Sequence, residues 1–222
     1  MRRLRVILLP GGVLPAAVAY SGLLDEFGAD VQAIAKDLEV YAGERPPDDY
    51  GLDREIAAIG RTADAAGFDQ FHLVGYSGGG AASLAFAARH ADRLKSLALL
   101  EAAWAGNAAM TPEERAVTRE LVATMGLPPE ELMANFVRLG LRAGVTPPPP
   151  PPGPAPPWMA QRPAGLAALM QAFARYELDP DALRQFKSPV YYGLGGLSNP
   201  DYYGRQAERL AGVFPRFTLE VY

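Results

Sequence analysis

Gly75, Ser77 and Gly79 stand in the run Phe-His-Leu-Val-Gly-Tyr-Ser-Gly-Gly-Gly, residues 71–80, with the serine two residues from each glycine. An apolar, strand-like segment, Phe71 to Val74, enters this turn, and a small-residue helical segment, AASLAFAARHADR, leaves it. That is the setting of a nucleophile elbow. Such a turn holds its serine in a strained backbone conformation, and only glycine-sized neighbours let strand and helix pack so closely. Ser77 is expected to stand exposed at the helix N-terminus, where the Gly78 N–H and the positive end of the helix dipole face any developing oxyanion. The plain alternative is a Gly-rich structural turn, because a chain with 23 glycines produces this spacing by chance.

A serine hydroxyl attacks at neutral pH only when a base takes its proton. The chain has two histidines. His72 precedes Ser77 on the same strand, roughly 16 Å away at ~3.3 Å per residue, and His90 follows on the next helix, roughly 20 Å away at ~1.5 Å per residue. Neither reaches Ser77. His72 reads as a packed, hydrogen-bonded strand residue and His90 as a helix C-terminal residue favoured by the dipole.

The elements that would position the serine alternate along the chain. Leu4 to Leu9 is an apolar run suited to a strand buried on both faces, ending at Pro10-Gly11-Gly12. A helix from Pro15 to Phe27 follows, then a more amphipathic strand between Val31 and Tyr41. Beyond Pro46 and Pro47, Leu52 to Ala66 carries Ile56, Ile59 and Ala63 on one helical face. The elbow comes next, and Leu94 to Leu100 is another buried strand. Residues 105–187 break this rhythm with helical stretches (Pro112–Met125, Pro129–Leu141, Leu166–Tyr176), while residues 147–157 are almost all proline. The proline run predicts a stiff surface strap, the sharper alternative being a dock for a proline-binding partner. A strand at Pro189–Gly193, a helix at Tyr202–Ala211 and a strand at Arg216–Tyr222 complete the pattern. Apolar strands alternating with helices imply a mostly parallel sheet flanked by helices.

Composition excludes several function classes. A net charge of −4 and a pI near 5.3 offer no basic surface to a polyanion, so no nucleic-acid partner is expected. With no cysteine and only two histidines, no metal site, thiol chemistry or disulfide is expected, and GYSGGG lacks the Lys-Ser/Thr ending of a phosphate loop. The short N-terminal apolar run reads as a strand, so the expectation is no membrane span and a cytoplasmic location.

Taken in order, LLPGGVLP, GYSGG, LALLEAAW and PVYYGLGG resemble the α/β-hydrolase family, and the likeness covers the chain apart from residues 105–187. The resemblance implies an α/β-hydrolase core over residues 1–104 and 188–222, with residues 105–187 as a helical cap inserted before the penultimate strand. The usual first two strands are lacking, and Pro10-Gly11 replaces the common His-Gly. The loop after the first strand is implied to supply a second oxyanion donor, Gly12 or Val13, beside Gly78. The family carries its catalytic histidine after the last strand, so the chain is expected to continue past Tyr222. The competing expectation is a natural pseudo-enzyme, disfavoured because a bare apolar terminal strand exposes surface that a soluble protein normally buries. The triad acid is implied at Glu101, directly after LALL, or at Asp201 after PVYYGLGG.

The implied reaction is cleavage of a carboxylic ester or related acyl bond in a small-molecule acyl substrate through an acyl-enzyme, with no cofactor. A noncatalytic ligand receptor or scaffold on the same fold is the alternative. Tyr76, Trp104, Trp158, Met159 and Phe136 are expected to line the substrate pocket, with Met110, Met125, Met133 and Phe173 as further apolar candidates.

Overall fold

The computed structural model describes residues 3–147, 149 and 152–222. Six parallel strands form one sheet in the order β2-β1-β3-β4-β5-β6: β1 Leu4–Leu9, β2 Val31–Ala35, β3 Phe71–Tyr76, β4 Leu94–Leu100, β5 Val190–Leu194 and β6 Phe217–Val221. Parallel pairing demands a crossover between successive strands, which the helices supply. The period-2 alternation of β1 divides the core. Ile7 and Leu9 join the large cluster on one face, and Val6 and Leu8 the smaller one on the other.

On the smaller side lie α1 (Ala16–Ala19) and α2 (Ser21–Glu26). The sequence predicts one helix here, but it breaks at Tyr20 because that ring turns into the core and its hydroxyl donates to the Leu9 carbonyl at 2.7 Å. The predicted second strand also stops early. After β2, residues Glu39–Tyr41 form a 3₁₀ turn, with Val40 buried and its N–H directed to the Glu55 carboxylate at 3.4 Å.

On the larger side, α3 (Leu52–Ala65) buries its Ile56, Ile59 and Ala63 stripe. Against it packs α4 (Gly78–Arg89), whose small side chains are buried on nearly every face from Gly78 to Ala87, as fits a helix enclosed between sheet and neighbours.

Between β4 and β5 the chain inserts α5 (Pro112–Thr124), α6 (Pro129–Gly140), a 3₁₀ turn Pro157–Gln161, α7 (Arg162–Arg175) and a short α8 (Pro180–Arg184). A capping box between Thr111 and Glu114 starts α5. Trp104 stacks on Phe173 at 5.8 Å and donates to Asn107 at 2.8 Å, and Asn107 in turn donates to the Phe173 carbonyl at 2.9 Å. Buried Glu114 pairs with Arg209 at 2.7 Å, joining the insert to α9 (Arg205–Ala211), which a wide turn at Pro200–Gly204 precedes. The predicted proline strap falls partly on residues 148, 150 and 151, outside the described residues; Pro152 to Pro156 are exposed. No described helix is long and apolar enough to cross a membrane.

Candidate active site

Ser77 lies between β3 and α4 with φ 48° and ψ −112°. A non-glycine residue adopts that conformation only where its surroundings compel it. Here the backbone is pinned on both sides: Ser77 N–H donates to the Leu100 carbonyl at 3.0 Å, and its carbonyl accepts from Ala81 at 3.1 Å and Ala103 at 2.9 Å. The flanking glycines leave no room for a side chain. A Cβ on Gly75 would lie 2.4 Å from the Gly79 carbonyl oxygen and Ser83 Oγ, and one on Gly79 would lie 2.5 Å from the carbonyl oxygens of Leu9 and Pro10. The Gly79 N–H donates to Pro10 O at 3.0 Å, so the loop after β1 is bonded to the elbow.

The sequence predicts an exposed serine, yet Ser77 is 8% exposed. Overhanging residues of the insert and of the Pro10–Leu14 loop enclose it in a cavity of about 660 Å³. The sheet edge contributes Gly11, Gly12, Tyr76, Ser77 and Glu101, while Val13, Leu14, Phe136, Val137 and Leu141 supply an apolar wall. Ser198 and Tyr203 complete the lining, in which Glu101 is the one charged residue. Although Ser77 occupies the N-cap position of α4, its hydroxyl does not cap the helix, so Oγ is not committed to the backbone.

Gly78 and Gly12 adjoin each other next to Ser77. The Gly12 nitrogen lies 3.5 Å from where a Cβ on Gly78 would stand, and a Cβ on Gly11 would lie 3.2 Å from Ser77 Cβ. The loop after β1 thus meets the first turn of α4 beside Ser77, bringing Gly12 of the cavity lining against Gly78.

Of the two candidate carboxylates, one lines the cavity that holds Ser77. Glu101 follows β4 with φ 47°, and its Oε1 accepts from the Gly195 N–H at 2.7 Å. Its side chain faces the cavity shared with Ser77, where its charge adds to burial in pushing up the pKa of Tyr76. Asp201 is exposed and does not line the cavity. The helical turn there is capped by Asn199, whose Oδ1 accepts from the Asp201 N–H at 3.0 Å.

Tyr76 and Phe136 line the cavity, whereas Trp104, Trp158 and Met159 do not. Trp104 is 4% exposed and committed to Phe173 and Tyr176, Trp158 lies against Arg162, and Met159 borders a separate apolar hollow with Met133 and the Pro156-Pro157 pair. Val137, Leu141, Ser198 and Tyr203 carry no motif that sequence reasoning could use. They reach the cavity because Arg142 N–H donates to Leu197 O at 2.8 Å and Asn199 N–H to Gly140 O at 2.9 Å, tying the end of α6 to the turn after β5.

Both histidines are engaged elsewhere. His72 Nδ1 lies 2.7 Å from Ser96 Oγ, with its pKa lowered by burial and by Lys95, and the His90 ring packs 4.8 Å from that of Phe86 at the end of α4. Among the described residues, no group of three His, Cys, Asp or Glu side chains could hold a metal ion.

Comparison with known proteins agrees with this layout. The family described as alpha/beta hydrolase fold matches residues 41–147. No curated protein sequence matches the chain. Similar solved structures include a hydrolase from Pseudomonas aeruginosa PA01, with TM-score 0.70 and 18% identity over 99% of this chain and 82% of that one. A thermophilic esterase from Thermogutta terrifontis has TM-score 0.72 and 19% identity over 100% and 81%. A carboxylesterase from Bacillus subtilis has TM-score 0.65 and 16% identity over 99% and 75%. Likeness at these identities carries the fold and leaves the chemistry to the residues themselves.

Proposed function

We propose that this chain, which has the α/β-hydrolase fold, is a serine hydrolase that cleaves a carboxylic ester or related acyl bond. One observation carries the reading: a serine at φ 48°, its hydroxyl uncommitted to the helix it starts, faces a cavity shared with one carboxylate and the glycine loop after β1. In this mechanism Ser77 Oγ attacks the acyl carbon as a base removes its proton. The N–H groups of Gly78 and Gly12 receive the oxyanion, Val13 being the alternative second donor, and the positive end of α4 favours the charge. The leaving alcohol departs with the proton, and water then releases the acid from the acyl-enzyme.

Glu101 serves as the carboxylate that orients the base and stabilises its protonated form. The base this reading requires is a histidine held against Glu101, a place that neither His72 nor His90 occupies. The end of β6 lies beside the Gly195-Gly196 turn: Gly196 N–H donates to Tyr222 O at 2.7 Å, next to the Gly195 N–H bound to Glu101. The esterase neighbours agree with ester cleavage, and the apolar wall of the cavity suits an uncharged acyl group.

The second reading, a noncatalytic ligand receptor on the same fold, draws on the engagement of His72 and His90 away from Ser77. A fluorophosphonate probe on the full-length protein separates the two. Labelling at Ser77, lost in Ser77→Ala along with hydrolysis of a short aryl ester, is expected; labelling that survives Ser77→Ala defeats the assignment.

A further inference from the structure

The loop that would hold the oxyanion is built from Pro10-Gly11-Gly12, two glycines in succession and hence a segment with wide backbone freedom of its own. Something must hold the Gly12 peptide planes in one orientation if that N–H is to be a fixed donor. The bond from Gly79 N–H to Pro10 O anchors the loop at its start. At Gly12 the anchor comes from a residue 29 positions away: the Tyr41 hydroxyl donates to the Gly12 carbonyl at 2.5 Å.

Tyr41 is itself held from the insert. The Arg162 guanidinium lies 3.8 Å over its ring, and Arg162 is only 3% exposed, with Nε and Nη1 lacking a hydrogen-bond partner among the described residues. Buried guanidinium N–H groups without acceptors are costly, and the attraction of the charge to the π-faces of Tyr41 and, at 5.2 Å, Trp158 offsets part of that cost. One turn along α7, a Cβ on Gly165 would fall 2.1 Å from Tyr41 Cε1, and Leu166 and Leu169 press on Gly12 itself, with Leu166 Cδ2 2.7 Å from where a Cβ would stand. Tyr41 does not line the cavity.

We infer that Tyr41 is a positioning residue for the oxyanion loop, clamped by Arg162 and α7 of the insert. Resting on the serine-hydrolase reading, this inference gives the insert a second task besides covering the serine. Rotation of the Gly12–Val13 peptide would break the Tyr41 bond and swing the Val13 N–H, the alternative second donor on that same plane, out of its place, loosening the loop that also carries the Gly12 N–H. Because the oxyanion forms only in the transition state, loss of the clamp lowers kcat and leaves ground-state binding in the apolar cavity intact.

The test uses the full-length protein, with Ser77→Ala as the control for the underlying reading. Tyr41→Phe removes the donor and keeps the ring under Arg162. The expected result is a fall of roughly 10-fold in kcat and in the rate of fluorophosphonate labelling, the size of one lost hydrogen bond, with KM within about 2-fold. Affinity for a trifluoromethyl ketone, which binds as a tetrahedral oxyanion, falls by a similar factor. para-Aminophenylalanine at position 41 restores a donor of the same reach and is expected to recover most of the loss, which a merely structural role of the ring does not predict. Wild-type kcat and labelling in Tyr41→Phe, or a drop that the amino variant leaves uncorrected, overturns the inference. Should Tyr41→Phe fail to fold, an amino variant no better than a variant of similar melting temperature mutated away from the loop overturns it equally. Labelling that persists in Ser77→Ala instead refutes the hydrolase reading, a distinguishable outcome.

Discussion

Exchanging Glu101 for glutamine tests the triad with almost no change of shape. In the protein one carboxylate oxygen accepts from Gly195 N–H at 2.7 Å, and the backbone at φ 47° is held by the bond from Glu101 N–H to Gly193 O at 3.1 Å. Glutamine keeps both: its amide oxygen takes the Gly195 N–H, and its backbone meets the same constraint. What it then presents to the cavity is an NH₂ donor where an imidazole N–H needs an acceptor, and the charge that stabilises imidazolium is gone. In the well-studied serine proteases that exchange lowers kcat by ~10⁴-fold through the wrong tautomer, so a loss of ~10³ to 10⁴-fold is expected here. At 1.36 kcal/mol per decade this is about 4 to 5 kcal/mol of transition-state stabilisation. Folding stability should move by less than about 1 kcal/mol, since no packing is lost. The assay is steady-state hydrolysis of a short aryl ester by the full-length protein, with urea denaturation in parallel. Asp201→Asn is the matched control: exposed and outside the cavity, it should leave kcat within about 2-fold. Glu101→Gln retaining more than about a tenth of kcat, or Asp201→Asn causing the larger loss, would refute the assignment.

Gly79→Ala places a methyl 2.5 Å from two backbone oxygens and is expected to cost about 3 kcal/mol by urea denaturation, whereas Gly60→Ala in α3, with nothing within 4 Å, should gain about 0.5 to 1 kcal/mol. Equal stability of the two variants contradicts the close-packing argument. Glu55 is 0% exposed, and burial raises its pKa from 4.5 against the opposing pull of the Glu39 backbone, Tyr50 and Lys36. A raised folded-state pKa means stability fully present below the unfolded value and lost as pH rises through the folded one. Glu55→Gln should therefore gain on the native protein in denaturation midpoint as pH rises above the ordinary carboxylate range, and a difference that stays flat with pH removes the burial argument.

Local chemistry made the elbow and most of the sheet legible. The strand endpoints of β1 and β4 follow from apolar runs bounded by turn residues, and Gly75 and Gly79 on either side of Ser77 announce a tight turn because no side chain fits at those two positions. Where a single side chain turns into the core, the local pattern misleads: Tyr20 divides one predicted helix, and Val40 ends a predicted strand by burial next to Glu55. The short α8 carries too little periodicity to be seen at all.

The site divides in the same way. That Ser77 could be a nucleophile was written in its neighbours, but its enclosure depends on the insert folding back over the sheet, a contact between residues far apart in the chain. Glu101 and Asp201 both follow strands, so spacing alone leaves both as candidates; which of them lines the cavity of Ser77 depends on the direction of a side chain and on Gly195 lying within 2.7 Å of Glu101. Trp104 and Trp158 look like pocket aromatics in sequence, and only packing commits them to Phe173 and Arg162 instead. Tyr41 carries no signal in its own neighbourhood. Periodicity and turn chemistry act over a few residues, so they reveal which elements form; which side chains meet at a catalytic edge depends on how the sheet stacks segments that are tens to hundreds of residues apart, and the tertiary fold alone determined it.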